Sequence, residues 1–488
     1  MLKSPKLNNY IKVLSVIMCA IIPIFSLSST NATRTERSHR FTRYITHTSV
    51  EDPEYFEERF RHLSLNILEL DSSRVQTHVT APNHSATGLE MLVDQANRLR
   101  EQGHNIVGGI NGDMFAMHSF GVAEGQPSSL TVIDGEIITM HSTFEESRAL
   151  PVFATDNVDD NEPYFGHLML HGTATAYRDG EFLRNLRIDQ FNRNYYLANW
   201  HVAMFTPRIS PNGNIEILSI DVEEYSGVHN LHQWEFAVVE LDDGNDKIVA
   251  GQQFRGTLTE VVVGVEDAHV PEGAVVFAGF NFMRNQQLRI GDEIEFELNI
   301  YNTPEDFHDD LGEPQNHFTE IIGAYNWLVR DGIVQDEDDW ISVGLPVDWL
   351  ITSTPARTGI GIREDGTILA VTVDQVFGRA EGMTMAELAE LFYELGAVQA
   401  LNFDGGSSTE MIALDQNHEF VTLNTPTGLD PRPVSTSVLF SSNSESIRGF
   451  GHSMTNEIIL WVLFSSLAVL AASSVALGIV KLIKRKKS

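Results

Sequence analysis

The sequence has a single cysteine in 488 residues, Cys19. It falls in a stretch that reads as a leader, so the remainder of the chain forms no disulfides. Lysine is nearly as scarce: between residues 33 and 457 Lys247 stands alone. Residues 1–32 and 458–488 together hold eight Lys or Arg and no Asp or Glu, so the formal net charge of −34 for the whole chain becomes −42 for residues 33–457. A body of that sign repels nucleic acid and other polyanions, which excludes a nucleic-acid partner. An anionic ligand must be met by local arginine or backbone N–H groups. Few lysines with many acids also suit a salty medium, where screening weakens self-repulsion.

Both ends of the chain carry topological signals. Lys3, Lys6 and Lys12 precede the apolar run Val13 to Leu27, which reads as a secretory signal peptide over residues 1–32. Residues 458–480 are 23 residues without a charge, enough for a transmembrane helix at about 1.5 Å per residue. They follow a linker, 446–457, and precede a basic tail, 481–488, with Lys481, Lys484, Arg485, Lys486 and Lys487. By the positive-inside rule the tail is cytoplasmic and the body extracytoplasmic. The expectation is a single-pass cell-membrane protein attached by this C-terminal helix. A sorting tail clipped after export has the same layout.

Within the body, Leu89, Leu92, Val93, Ala96 and Leu99 recur at helical spacing over Gly88 to Glu101. A strand over Asn105 to Ile110 follows and ends in Asn111-Gly112-Asp113-Met114-Phe115. The same order returns later: Met385, Leu388, Leu391, Phe392 and Leu395 mark a helix, and Val398 to Leu401 a strand ending in Asn402-Phe403-Asp404-Gly405. This weak internal repeat would bring two Asn-x-Asp corners to one sheet edge, where Asn111, Asp113, Asn402 and Asp404 converge. Between them, Ile133-Asp134-Gly135-Glu136 signals a hairpin, and short strands with turn clusters run from about His167 to Thr303. The expected fold class is α+β. One domain, 40–445, has a mixed-sheet core with flanking helices (40–165 and 315–445) and a β-rich insertion (166–314), ahead of the transmembrane helix.

The chemistry centres on Ala400 to Met411. An apolar strand delivers Asp404 to a turn of Gly405, Gly406, Ser407, Ser408 and Thr409, whose N–H groups could cradle an anion. An ordinary strand-to-turn junction is the plain alternative. Arg357, between Pro355 and Gly359 on a strand, could grip an anion bidentately, or simply pair with a carboxylate. Ser407-Ser408-Thr409-Glu410 fits a capping box, which competes with a catalytic role for Glu410. Asp374, at a strand end, joins the cluster or starts a turn. His229 and His232 have too few companions for a metal site. Asp336 to Asp339 reads as a solvated turn. Asn31-Ala32-Thr33 and Asn83-His84-Ser85 are glycosylation sequons.

Three blocks together resemble the phosphodiester glycosidase domain family. They are Asn111-Gly112-Asp113-Met114-Phe115, Arg357-Thr358-Gly359-Ile360-Gly361 with its Glu364-Asp365-Gly366 turn, and Leu401 to Met411. Their order matches, and the similarity runs from about residue 60 to 440, including Arg432-Pro433-Val434. The family's third glycine after the Asp is Ser407 here, and its glycine-rich segment reads Gly323-Ala324-Tyr325-Asn326-Trp327.

The resemblance implies a hydrolase of sugar 1-phosphodiesters acting on glycans or exported polysaccharide. In such a substrate the group leaving C1 is a phosphomonoester, stable as an anion. It needs electrostatic stabilisation, from Arg357 and the N–H groups of Gly405 and Gly406, more than it needs a proton. A carboxylate must act at C1, and the candidates are Asp404 and Asp113, with Asp404 favoured. Asn111, Asn402, Thr358, Ser407 and Ser408 would hold sugar or phosphate. No cofactor is assigned, and a divalent cation among Asp113, Asp374 and Asp404 stays open, since it would relieve their repulsion. The departures at Ser407 and Tyr325 to Trp327 motivate an alternative, a non-catalytic carbohydrate-binding or polysaccharide-handling surface protein.

Overall fold

The structure, a computed structural model, describes residues 34–56, 61–117, 124–140, 150–157, 163–193, 202–215, 234–264, 268–302, 312–342, 345–377, 380–428 and 430–442. The expected signal peptide 1–32, linker 446–457, apolar segment 458–480 and basic tail 481–488 lie outside the described residues, as do His229 and His232. Among the described residues no helix is long and apolar enough to cross a membrane. The expected transmembrane helix therefore has no counterpart among them.

The α+β expectation is corrected too. The protein is mostly β, with 27 strands against four α-helices among the described residues. The two helices with a strong 3.6-residue period are present, as Leu92–Glu101 and Met385–Glu394. They dominated the sequence signal because each short strand is individually weak, whereas a periodic helix is not.

Two antiparallel sheets face each other and frame the site. One has eight strands in the order Thr35–Arg40, Ile45–Phe56, Arg61–Asp71, Thr367–Val373, Arg357–Arg363, Ala397–Asn402, Asn326–Arg330 and Ile333–Val334. The other has five: Phe420–Thr422, Met411–Leu414, Ile106–Asn111, Ser437–Ser442 and Val75–Thr80. Every neighbouring pair in both is antiparallel, which corrects the expected mixed core. Leu68, Ile360, Ile368 and Leu401 from the first sheet pack on Val107, Met411, Ala413 and Val438 from the second.

Helices cover the outer faces. Leu92–Glu101 buries Leu92, Ala96 and Leu99 on Ile106, Ile412 and Leu439 of the five-stranded sheet. Met385–Glu394 covers the eight-stranded sheet and starts in a capping box: Thr384 Oγ1 accepts from Glu387 N–H, and Glu387 Oε2 from Thr384 N–H. Such a cap contributes about 1 kcal/mol. Gly359 and Gly361 let the helix come close, since a Cβ on either would lie 2.8 or 2.9 Å from the Phe392 ring. Asp336 to Asp339 is solvent-exposed, as expected, but it opens a helix instead of forming a turn. Asp336 Oδ1 accepts from the Asp338 and Asp339 N–H groups at the start of helix Glu337–Ser342, where carboxylates suit the helix dipole.

The remaining large sheet has twelve strands and its own apolar core. It takes most of the strands between Tyr164 and Asn302 together with Pro151–Thr155, Glu320–Gly323 and the hairpin Thr131–Ile133/Glu136–Thr139, where Asp134 and Gly135 both have positive φ. The buried Glu320 carboxylate fastens this sheet to the edge of the five-stranded one. It accepts from Val79 N–H at 2.8 Å and Asp134 N–H at 3.3 Å, groups that an open edge would leave unpaired.

Candidate active site

The two Asn-x-Asp corners lie on different sheets, not on one edge. Ile106–Asn111 belongs to the five-stranded sheet and Ala397–Asn402 to the eight-stranded one, and the corners meet across the interlayer. Asp404 N–H donates to the Gly112 carbonyl at 2.9 Å, and Asn111 Nδ2 to the Asp404 carbonyl at 2.8 Å. Asn111 Oδ1 accepts from Thr358 Oγ1 at 2.8 Å and from Glu410 N–H at 3.1 Å. Asn111 and Thr358, both fully buried, thus tie three segments together and set where Asp404 leaves its strand.

Strand alternation then sorts the neighbours. Thr358 points to the interlayer with Ile360, and Arg357 to the opposite face. There the Arg357 guanidinium, 2% exposed, donates to the carbonyls of Met383, Leu350 and Ser353 at 2.8, 2.8 and 3.0 Å. Burial lowers its pKa to about 10. Arg357 is therefore not brought to the carboxylate cluster. Asn402 is also turned from Asp404: its Nδ2 donates to Asn326 Oδ1 at 3.3 Å.

The arginine that does reach Asp404 is Arg432. Its Nη2 lies 3.9 Å from Asp404 Oδ2, its Nη1 donates to Ser407 Oγ at 3.1 Å, and its guanidinium carbon sits 5.0 Å from the Phe115 ring centre. Arg432 Nε is buried without a hydrogen-bond partner, while the side chain as a whole is 29% exposed. A partly exposed cation held by a hydroxyl and an aromatic face is arranged to take an oxyanion.

The glycine turn behaves differently from the expected anion cradle. Gly405 N–H donates to Asp404 Oδ1 at 3.0 Å and Gly406 N–H to the Ala356 carbonyl at 2.8 Å, so both are engaged within the protein. The glycines are still needed: a Cβ on Gly405 would lie 2.7 Å from the Ala356 carbonyl oxygen, and Gly406 has φ +61°. The capping box also does not form. The turn Gly406–Ser408 has no side-chain cap, Ser407 Oγ faces Arg432, and Glu410 Oε1 accepts from Thr422 Oγ1 at 2.8 Å. Burial pushes Glu410 up to about 7.

Asp113 sits 1% exposed on the turn after Asn111. Its Oδ2 accepts from Ser129 N–H at 2.8 Å, and its Oδ1 has no hydrogen-bond partner. Burial pushes its pKa up to about 7; Ser129 and Arg193 pull it down, and the Asp404 charge pushes it further up. Gly323 makes room for it, since a Cβ there would stand 1.9 Å from Ser129 Cβ and 2.8 Å from Asp113 Oδ2. Burial likewise raises Asp404 to about 6, against the pull of Ser408, Arg432 and the Gly405 N–H. Two buried carboxyls, one sensing the charge of the other, with a guanidinium beside Asp404, make an acid–base pair with an anion site.

Asp374 stands apart from this pair. Its Oδ2 accepts from Ser64 Oγ at 2.6 Å and Thr425 N–H at 3.2 Å. Among the described residues no group of three or more His, Cys, Asp or Glu could hold a metal ion, so the structure offers no site for the divalent cation considered for Asp113, Asp374 and Asp404. Sequence reasoning overlooked Ser129 and Arg193, and it read Tyr325, whose phenol is raised by burial and by the Asp113 charge, only as a departure from the family pattern. It noted Arg432 only as part of a motif. The legible signal was its place in a body poor in cations.

The site thus defines a carboxyl pair with an arginine anion grip on an antiparallel β scaffold. Residues 248–441 match the profile of the phosphodiester glycosidase family, and the chain resembles that family, as its sequence blocks indicated. The match includes Asp404 and Arg432 but not Asp113. No curated protein sequence matches the chain. Among solved structures, a hypothetical protein from Synechocystis is similar with a TM-score of 0.58 and 18% identity, over 84% of this chain and 64% of that one. This chain therefore spans under two thirds of that protein. A putative exported protein from Burkholderia pseudomallei is similar with a TM-score of 0.57 and 17% identity, over 78% of this chain and 74% of that one. These two share the fold. The catalytic domain of zebrafish N-acetylglucosamine-1-phosphodiester alpha-N-acetylglucosaminidase, auto-inhibited by its pro-peptide, aligns with a TM-score of 0.36 and 14% identity over 86% of this chain and 91% of that one.

Proposed function

We propose that the protein is a glycosidase that hydrolyses sugar 1-phosphodiesters. Arg432 receives the phosphoryl oxygens at the solvent-facing edge of its guanidinium, with Ser407 fixing its orientation. Asp404, next to it and mostly ionised at neutral pH, acts at the anomeric carbon. Asp113, protonated over part of that range, donates a hydrogen bond from the buried side. The observation that carries the reading is the 3.9 Å approach to Asp404 of an arginine, Arg432, whose side chain stays 29% exposed. The family match over residues 248–441 supports the same chemistry.

Glycans or an exported polysaccharide are the proposed substrates, and an extracytoplasmic location is proposed for the body. The basic-then-apolar segment at 1–27 and the lysine-poor, acidic composition support that location. Release of free sugar from a synthetic N-acetylglucosamine 1-phosphodiester tests the activity. Turnover abolished by Asp404→Asn supports it; wild-type protein that binds glycans without turning over sugar phosphodiesters overturns it in favour of a carbohydrate-binding role.

A further inference from the structure

Hydrolysis at C1 breaks an O–H bond of water, forms the new C1–O bond and sends the electron pair of the broken C1–O bond to the phosphate oxygen. The departing phosphomonoester leaves as an anion, so the proton from water stays with the enzyme, at Asp404 in the reading above. Asp404 is 15% exposed, and Arg432 and Ser407 flank it on the solvent side. A substrate seated on Arg432 closes that side.

Behind Asp404 the interlayer between the sheets turns from apolar to polar. On strand Thr367–Val373, Ile368 and Ala370 face the apolar core, and the same alternation carries Thr372 and then Asp374 to that face. Thr372, Asp374 and Thr409 are 0, 2 and 2% exposed, yet Thr372 Oγ1, Asp374 Oδ1 and Thr409 Oγ1 have no hydrogen-bond partner in the protein. Asn424 connects the two ends. Its Nδ2 donates to the Thr409 carbonyl at 3.1 Å, and its side chain stabilises the Asp374 carboxylate. Ser408 Oγ, on the neighbour of Thr409, is likewise buried without a hydrogen-bond partner, and it lies close enough to Asp404 to pull its pKa down. Buried polar atoms left over in such number are ordinarily satisfied by internal water.

We propose that Asp374 is the rear proton outlet of Asp404, receiving the proton through water held between Ser408, Thr409 and Thr372 and passing it to solvent beside the exposed Thr425. The inference rests on the hydrolase reading. Asp374 touches no reacting atom and acts through Asp404, so it is a positioning residue. Burial places both carboxyls at about 6, so the transfer is close to level. The other titratable groups on the elements around Asp374 are Arg61, His62, Glu69 and Asp71 on strand Arg61–Asp71, Glu381 on the hairpin that follows Asp374, and Glu410 beyond Thr409. Arg357 and Arg363 leave the opposite face of their strand.

The test is turnover of a sugar 1-phosphodiester by the full chain from about pH 5 to about pH 9, in light and heavy water, for wild type, Asp374→Asn, Thr409→Val and Thr372→Val. With Asp374→Asn, kcat is expected to fall about tenfold with KM within about twofold, the acid limb to shift, and the solvent isotope effect to grow. A purely structural role would not move the isotope effect. Should Asp374→Asn fail to fold by circular dichroism, the two valine variants decide, each expected to lose about threefold in kcat with a larger isotope effect. Unchanged kcat, pH profile and isotope effect in the folded variants overturn the outlet. A wild type without turnover sinks the hydrolase reading and this inference together. An active wild type that loses activity in Asp404→Asn but not in Asp374→Asn sinks the outlet alone.

Discussion

Arg432 and Asp404 come from separate segments, yet the arginine Nη2 lies 3.9 Å from the carboxylate Oδ2, with Ser407 Oγ 3.1 Å from Nη1. The separation is too long for a tight ion pair, and it leaves the guanidinium edge open to a phosphoryl group that would complete its hydrogen bonds.

Replacing Arg432 by alanine should therefore cost about 3 kcal/mol of transition-state stabilisation, roughly a hundredfold in kcat/KM. Because Arg432 pulls Asp404 down, the variant's acid limb should also move to higher pH. Inhibition by inorganic phosphate should weaken in parallel. Steady-state kinetics with phosphate as competitor measure all three, and unchanged phosphate inhibition would place the anion elsewhere.

Activity should follow a bell-shaped pH profile. Asp404, raised to about 6, must be ionised, so the rate climbs as pH passes that value. Asp113, raised to about 7, must be protonated to donate, so the rate declines as pH passes its own value. The Asp404 charge pushes Asp113 up, so the falling limb reflects the state of both carboxyls. Asp113→Asn should retain the rising limb and flatten the falling one. A kcat/KM profile that still declines above neutral pH in that variant would exclude Asp113 as the acid.

Gly323→Ala should disable the site without touching substrate. The added methyl would stand 1.9 Å from Ser129 Cβ and 2.8 Å from Asp113 Oδ2, which forces Ser129, and with it the N–H that orients Asp113, to shift. Overpacking of this kind costs about 1–3 kcal/mol. Thermal melting and turnover measured together should both decline, and wild-type values in both would show that the segment has slack.

Arg357→Met should act on stability alone. It removes donors to three carbonyls on the face away from Asp404, a loss of about 2–4 kcal/mol through buried groups left unpaired. Denaturant midpoints should drop while KM of the folded fraction stays at the wild-type value. A raised KM at unchanged stability would return Arg357 to the anion site.

The blocks around the site were legible in the sequence because they depend on local chemistry. A strand ending in Asp404 before two glycines, the Asn111 to Phe115 corner and the Asp134-Gly135 hairpin each follow from residue types at short spacing. So did the helices Leu92–Glu101 and Met385–Glu394, whose apolar positions repeat with the helical period. The mostly β character was harder to read, since strands such as Ile333–Val334 or Phe420–Thr422 are two or three residues long and gain their hydrogen bonds only from distant partners.

Taken alone, the sequence determined the acidic, lysine-poor and disulfide-free body, the carboxylates available for chemistry and the glycines their turns require. Only the tertiary structure decided which groups meet. Alternation along Arg357–Arg363 sends Thr358 to Asn111 and Arg357 to the far face, and that depends on which side of the sheet the second sheet covers. The fold also brought Arg432 to Asp404, and two sheets, not one, to the Asn-x-Asp corners. The Asn111 pairings join residues hundreds of positions apart, Asn111 and Thr358 by 247 and Asn111 and Asp404 by 293, and nothing in the local sequence encodes a partner at that distance.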